Sequence, residues 1–209
     1  MRTLFLSSAG VRFPIIEKEL LKILPKNTKQ IKVCMITTAH KYEKNIDFAL
    51  QDISKLKSMG FEVTQIDLTG KNETELENLL IDKDIIYVEG GNTFVLLDEV
   101  NKSGFAKVLD KLLDKGIIYL GVSAGSYIAC PTIDMCDSKE NIPGLKNLTA
   151  LNLVPFLMSV HYNRPKYKKI RDGVLNSKYP VKILSDDQAL LIQDDKVKLV
   201  GEGEEIKII

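Results

Sequence analysis

Short aliphatic runs alternate through the first part of the chain with segments whose apolar positions recur at helical spacing. The runs are rich in Ile, Val and Leu and predict buried strands at residues 3–7, 32–37, 62–68, 84–88 and 117–122. The helical spacing predicts helices between them at residues 13–24, 44–59, 73–81, 93–100 and 105–113. This alternation is typical of a parallel sheet that is covered by helices on both faces.

The last third of the chain has a different pattern. Residues 165–175 predict one more helix, and four short strands follow, separated by acidic turns, at residues 181–184, 189–192, 196–200 and 205–209. Asp194-Asp195 lies between two apolar runs and indicates a hairpin. We therefore expect an α/β protein in which residues 1–209 form a single three-layer α/β/α domain, with a mostly parallel central sheet and a C-terminal antiparallel extension.

Length and charge exclude several classes of protein. The 209 residues suffice for one sizeable core, and 29 Lys and Arg balance 28 Asp and Glu, so no basic excess predicts nucleic-acid binding. No apolar run approaches the ~20 residues that span a bilayer. Cys34, Cys130 and Cys136 form no CxxC pair, so neither a disulfide framework nor a metal site is expected. A cytoplasmic location is the prediction.

The strongest chemical motif is Gly121-Val122-Ser123-Ala124-Gly125, directly after a predicted strand. A serine flanked at two residues' distance by glycines, between a strand and a helix, is typical of a nucleophile elbow. The turn is strained, and side chains at the flanking positions would collide with neighbouring backbone. It exposes the hydroxyl and points the next amide, that of Ala124, toward the same space. The motif predicts Ser123 as a nucleophile.

A serine hydroxyl needs a base, and the chain has two histidines. His161 directly follows the apolar run at residues 153–160, and His40 follows the predicted strand at residues 32–37. Sites gather at the ends of strands in α/β sheets, and position alone does not choose between the two. A carboxylate should hold the imidazole. The acids between Ser123 and His161 that could do so are Asp134, Asp137 and Glu140.

A second loop, Glu89-Gly90-Gly91-Asn92-Thr93, follows another predicted strand. Its two glycines permit a close backbone approach and an exposed amide. An amide at Gly91 or Asn92 would complete an oxyanion hole with that of Ala124. The loop is equally compatible with an ordinary turn in which Asn92 or Thr93 is the N-cap. A phosphate loop is disfavoured, because no GK[ST] follows.

The motifs resemble, in order, those of the dipeptidase E and cyanophycinase family of serine peptidases. The resemblance extends over nearly the whole chain, from about residue 3 to residue 200. It is carried by EGGNTF at 89–94, GVSAG at 121–125, CPTI at 130–133, ALNLV at 150–154 and His161-Tyr162. Several separate motifs in the right order are more specific than the elbow alone.

The resemblance implies a fold like the class I glutamine amidotransferase domain, with serine in place of its cysteine. It implies Ser123 as the nucleophile and His161 as the general base, and an oxyanion hole formed by the amides of Gly91 and Ala124. It also implies that the acid lies in the loop after Pro131.

Counting back from the ALNLV motif favours Asp137 as that acid, with Glu140 and Asp134 as alternatives. The family receives the substrate's acidic side chain on a basic residue downstream of the histidine, and here that stretch matches loosely. Arg164, Lys166 and Arg171 are the basic candidates, and we assign substrate binding to Asn92, Arg164 and Lys166. A strict preference for aspartyl dipeptides therefore stays open.

These observations predict a dipeptidase-like serine peptidase that acts on short peptides through an acyl-enzyme, with no metal or cofactor. We expect no nucleic-acid or membrane partner, and a monomer or homodimer. Two alternatives stay open: an amidohydrolase or esterase with a non-peptide substrate, and a non-catalytic relative that binds a small ligand.

Overall fold

The structure is a computed structural model that describes residues 1–136 and 140–208, apart from the side chain of Arg164. Its strands are β1 Thr3–Ser7, β2 Lys32–Ile36, β3 Glu62–Ile66, β4 Ile85–Val88, β5 Ile118–Val122, β6 Leu157–Ser159, β7 Val181–Ile183, β8 Gln188–Gln193 and β9 Lys196–Gly201. Its helices are α1 Pro14–Lys22, α2 Asp47–Ser58, α3 Glu73–Leu80, α4 Thr93–Ser103, α5 Phe105–Asp114, α6 Ala124–Ile128 and α7 Tyr167–Asn176.

The central sheet has seven strands in the order β3-β2-β4-β5-β1-β8-β9. The first five are parallel to one another, whereas β8 runs antiparallel to β1 and β9 antiparallel to β8. The prediction of a mostly parallel sheet with an antiparallel extension is confirmed. The hairpin predicted at Asp194-Asp195 joins β8 to β9, and Asp194 has the positive φ of 50° that such turns use.

Two details of the predicted C-terminal extension are wrong. The strand predicted at 181–184 is β7, which pairs parallel with β6 in a separate two-stranded sheet and does not extend the central one. Residues 205–208 form no strand. Alternation along a short segment shows that it can be extended but says nothing of its partner.

Alternate side chains of the buried strands pack on opposite faces of the sheet. In β1, Leu4 and Leu6 join one buried cluster with α3, α4, α5 and α6, whereas Phe5 joins another with α1 and α2. Because the side chains on both faces of these strands are buried, the strands are almost continuously apolar. The two-faced core fixes the register of the strands, and thereby where each strand ends.

Local signals set the helix boundaries. At the start of α3, Asn72 and Glu75 form a reciprocal capping box. Gly104, with φ 73°, ends α4 and begins α5, a conformation that favours glycine. The helix predicted at 44–59 begins only at Asp47, where Asn45 accepts a hydrogen bond from the Asp47 amide.

Within the described ranges, none of the helices combines the length and the apolar composition that a membrane span requires.

We predict that Leu112→Ala destabilises the protein by about 2–5 kcal/mol, because it removes a buried side chain from the α5 face and leaves a cavity. Leu175→Ala is the matched control, since Leu175 is 66% exposed on α7. Its effect should lie within about 0.5 kcal/mol. Urea unfolding measures both, and similar losses in the two variants would contradict the assignment of the core.

Candidate active site

The carboxyl ends of the parallel strands lie at one edge of the central sheet, and the residues of interest follow them. Ser8 follows β1, Gly90 and Gly91 follow β4, and Ser123 follows β5. Because β8 runs the other way, it begins at this same edge, so the residues just before it, including Asp186, come close to Ser8. Such an edge is where sites form in open α/β sheets.

Ser123 has the strained backbone of a nucleophile elbow, with φ 48° and ψ −103°. The flanking glycines are required by their neighbours. A Cβ at Gly121 would lie 2.6 Å from the Gly125 carbonyl oxygen, and one at Gly125 would lie 2.1 Å from that of Val88. The steric reason predicted for the GxSxG spacing is thus met on both sides of the serine.

Two buried hydroxyl groups hold the turn in place. Tyr119 Oη donates to the Gly125 carbonyl at 2.6 Å. Ser126 Oγ lies 2.8 Å from the Ser7 carbonyl oxygen and 2.9 Å from that of Gly121, so it bridges β1 and β5. These contacts fix the backbone on which the Ser123 side chain stands.

His161 contacts the serine directly. Its Nε2 lies 2.9 Å from Ser123 Oγ. The histidine follows β6 with a left-handed backbone, φ 57°, and the Val160 amide beside it donates to Tyr127 Oη at 3.3 Å. The other predicted base, His40, is turned toward Phe48 and Glu89, its Nε2 3.9 Å from Glu89 Oε2.

The carboxylate next to the imidazole is Asp186, a residue that the sequence reasoning missed. His161 Nδ1 lies 2.5 Å from Asp186 Oδ1. Since a carboxylate can only accept, the proton is on Nδ1, and Nε2 is free to accept the Ser123 proton. The hydrogen bond from His161 lowers the pKa of Asp186, although partial burial of the carboxyl acts in the opposite direction.

Ser8 connects the histidine and the aspartate. Its Oγ accepts the His161 backbone N–H at 2.8 Å and donates to Asp186 Oδ1 at 3.0 Å. The only sequence signal for Ser8 and Asp186 is that Ser8 directly follows an apolar strand and Asp186 precedes one. Their proximity depends on the antiparallel pairing of β1 with β8, in which Ser7 is opposite Ala189.

The acids predicted for this position lie elsewhere or outside the described residues. Asp134 is exposed and lines a separate cavity with Gly173 and Tyr179. Glu140 is exposed, and its backbone carbonyl accepts from the Asn92 side chain at 3.0 Å. Asp137 lies outside the residues that the structure describes.

The loop after β4 leaves one amide unused. The Gly90 amide donates to Glu89 Oε2 at 3.0 Å, and the Asn92 amide donates to the Ala39 carbonyl at 3.0 Å. Among the described residues, neither the Gly91 amide nor the Ala124 amide has an acceptor. Of the two amides predicted for an oxyanion hole in this loop, Gly91 is therefore the available one.

Glu89 and His40 form a buried polar pair behind this loop. Glu89 is fully buried, and burial raises the pKa of its carboxyl group. Glu89 Oε1 and His40 Nε2 have no hydrogen-bond partner within the described part of the chain. Burying these two polar atoms beside the loop therefore costs desolvation free energy.

A cavity of about 320 Å³ opens over the serine. Its lining comprises Ser8, Ala9, Arg12, Glu43, Phe48, Gly90, Gly91, Val122, Ser123, His161 and Asp186. Neither Asn92 nor Lys166, both predicted to bind substrate, is part of this lining. Asn92 Oδ1 instead caps α4 by accepting from the amides of Phe94 and Val95. The Arg164 side chain lies outside the described residues.

Within the described residues, no group of three or more His, Cys, Asp or Glu is arranged to hold a metal ion.

The fold and the elbow place the protein among α/β serine hydrolases. The sequence profile of peptidase family S51 matches residues 4–200, and the chain belongs to that family. It is a serine-type peptidase.

Similar peptidases and one solved structure support this membership. The chain is 30% identical to an uncharacterized peptidase of Pasteurella multocida over 81% of its length and 84% of that protein. It is 28% identical to a peptidase E of Nostoc sp., over 88% and 77% of the two chains. A crystal structure of a candidate peptidase E protein from Listeria monocytogenes superposes with a TM-score of 0.83 at 30% identity, covering 97% of this chain and all of that one.

We predict that Gly91→Ala destabilises the protein by roughly 1–3 kcal/mol more than Gly116→Ala. Both glycines have positive φ, 127° and 88°, but a Cβ at Gly91 would lie 2.5 Å from the Ala39 carbonyl oxygen, whereas Gly116 has nothing within 4 Å. Chemical denaturation of both variants measures the difference. Equal destabilisation would show that the Gly91 loop can move away from Ala39.

Proposed function

We propose that this protein is a dipeptidase-like enzyme that hydrolyses short peptides through an acyl-enzyme on Ser123, with His161 as base and Asp186 as the third member of the triad. The observation that carries the proposal is the continuous hydrogen-bonded row. Ser123 Oγ lies 2.9 Å from His161 Nε2, and Nδ1 of the same ring lies 2.5 Å from Asp186. These contacts are the ones expected of a serine hydrolase triad, and they support the proposed roles.

In the proposed reaction, His161 Nε2 takes the proton of Ser123 as Oγ attacks the scissile carbonyl carbon. The imidazolium is stabilised by Asp186, and it then gives its proton to the leaving amine as the C–N bond breaks. Water next attacks the ester and gives a proton to His161. The acid is released when that proton returns to Ser123 Oγ.

The amides of Gly91 and Ala124 are proposed to bind the oxyanion. Both are without acceptors among the described residues, and Gly91 lines the cavity together with Ser123. Donors that are fixed before the reaction stabilise the developing charge without reorganising, an effect worth about 10²–10³ in rate for one such donor.

The size of the cavity supports a short substrate. About 320 Å³ is at the lower end of the range for small-molecule sites. The resemblance to dipeptidase E favours dipeptides, and an acidic first residue is the preference to test. A cytoplasmic location and a monomeric or dimeric state stay predictions from the sequence.

The first test is covalent labelling of the nucleophile. We expect a fluorophosphonate to label Ser123 in the parent protein, with the modified peptide identified by mass spectrometry. Ser123→Ala should remove labelling and hydrolysis of a dipeptide panel. His161→Gln should lower labelling at least about 100-fold, because no base remains, whereas His40→Gln should retain it. Equal labelling in the two histidine variants would reject His161 as the base. Labelling with hydrolysis of simple esters only would indicate an esterase.

The second test concerns the acid. Asp186→Asn should lower kcat by about 10³–10⁴, because an amide side chain no longer fixes the Nδ1–H tautomer or stabilises the imidazolium. Asp187→Asn is the matched control, since the neighbouring carboxylate accepts from Ser185 and not from the histidine. Asp137→Asn is measured alongside. A large loss in Asp137→Asn with none in Asp186→Asn would return the role to Asp137.

A further inference from the structure

An ion pair with a buried carboxylate lies beside the cavity and takes no part in the proposed triad. Arg12 Nε donates to Asp52 Oδ1 at 2.9 Å, and Tyr87 Oη donates to Asp52 Oδ2 at 2.7 Å. Asp52 is completely buried, whereas the Arg12 side chain is 33% exposed. The aspartate is thus a fixed anchor, and the arginine extends from it toward solvent.

The loop before Arg12 is built closely around this anchor. Gly10 has φ 78°, and a Cβ there would lie 2.6 Å from Asp52 Oδ2, so the backbone passes directly over the carboxylate. An ion pair with a buried carboxylate gains little net stability, because burying the charge of Asp52 costs its hydration. We therefore look for the role of the pair in binding by the outer nitrogens of Arg12, and not in stability.

The outer nitrogens of the guanidinium make few contacts with the described residues. Nη2 makes one long hydrogen bond, 3.4 Å, to the Phe48 carbonyl. No described residue accepts from Nη1. Arg12 lines the same cavity as Ser123 and His161, and it is the only Lys or Arg among the lining residues that the structure describes.

We propose that Arg12 is the residue that binds a carboxylate group of the substrate, positioned by Asp52 and Tyr87. The proposal rests on the proposed function, whose reacting serine shares the cavity. A guanidinium held at Nε presents its remaining N–H groups in a fixed plane, which suits a carboxylate. This assigns carboxylate recognition to the loop after β1, and not to the stretch after His161 in which the sequence reasoning placed it.

A dipeptide can supply the carboxylate from its first side chain or from its C-terminus. Four probes separate the two sources: Asp-Leu, Asn-Leu and the C-terminal amide of each. Binding is measured by calorimetry in the Ser123→Ala protein, so that no probe is consumed. Adding Arg12→Gln should weaken the recognised probes by about 10–100-fold, the effect expected of a lost charge-assisted hydrogen bond.

If the side chain is bound, both Asp probes weaken and both Asn probes do not. If the C-terminus is bound, both free acids weaken and both amides do not. Either result supports the proposal. It is overturned if Arg12→Gln leaves all four probes unchanged, if it weakens Asn-Leu amide equally, or if the starting protein binds no acid better than that amide.

Two further variants control for the loss of a positive charge and for misfolding. Arg2→Gln removes one arginine from the opposite end of β1, where it pairs with Asp110 and Asp114, and should leave binding unchanged. Arg12→Gln leaves Asp52 buried without its partner, so Arg12→Gln/Asp52→Asn, which removes both charges, is measured as well. The double variant should keep the parent's circular dichroism spectrum and bind Asn-Leu amide normally, while losing the carboxylate preference. If it retained that preference, the proposal would be overturned.

Because binding is measured without the nucleophile, the two proposals fail in different ways. A parent protein that hydrolyses no peptide, together with carboxylate binding that depends on Arg12, would reject the peptidase reaction and keep the site. Hydrolysis of peptides, together with binding of all four probes that Arg12→Gln leaves unchanged, would do the reverse.

Discussion

The left-handed backbone of Ser123 is the constraint on which the site depends. A non-glycine residue with φ 48° costs about 1–3 kcal/mol, so the turn persists only because its surroundings allow no alternative. Gly121 and Gly125 pack against backbone on either side, and the hydroxyl groups of Tyr119 and Ser126 hold the carbonyls. The core that forms the sheet is thus also what holds the proposed nucleophile in position.

The partners of the serine come from distant parts of the chain, and strand order brings them together. β1 lies between β5 and β8, so the ends of three neighbouring strands meet at one edge. Ser8, at the end of β1, binds both the His161 backbone and Asp186. One hydroxyl therefore fixes the relative positions of a residue after β6 and a residue before β8.

The sequence was sufficient for what depends on local pattern. The alternation of aliphatic runs and helical stripes predicts the parallel sheet, and the glycines around Ser123 predict the elbow. It was insufficient where the structure depends on which strands pair with one another. The segment at 181–184 pairs with β6, and Asp186 reaches His161 only because β8 is antiparallel to β1. An acid between the serine and the histidine presupposes a chain order that this topology does not require.

Two buried carboxyl groups lie beneath the site. Asp52 and Glu89 are both fully buried close to loops that line the cavity, and each costs desolvation that an apolar residue would avoid. Asp52 has two donors and holds an arginine, whereas Glu89 has an oxygen without a donor and holds the amide of Gly90. Carboxylates in such positions stabilise a particular arrangement of loop and side chain more than they stabilise the fold. Asp52 and Glu89 therefore lie where the backbone beside the cavity has to be held, and the strands around them are packed mostly with apolar side chains.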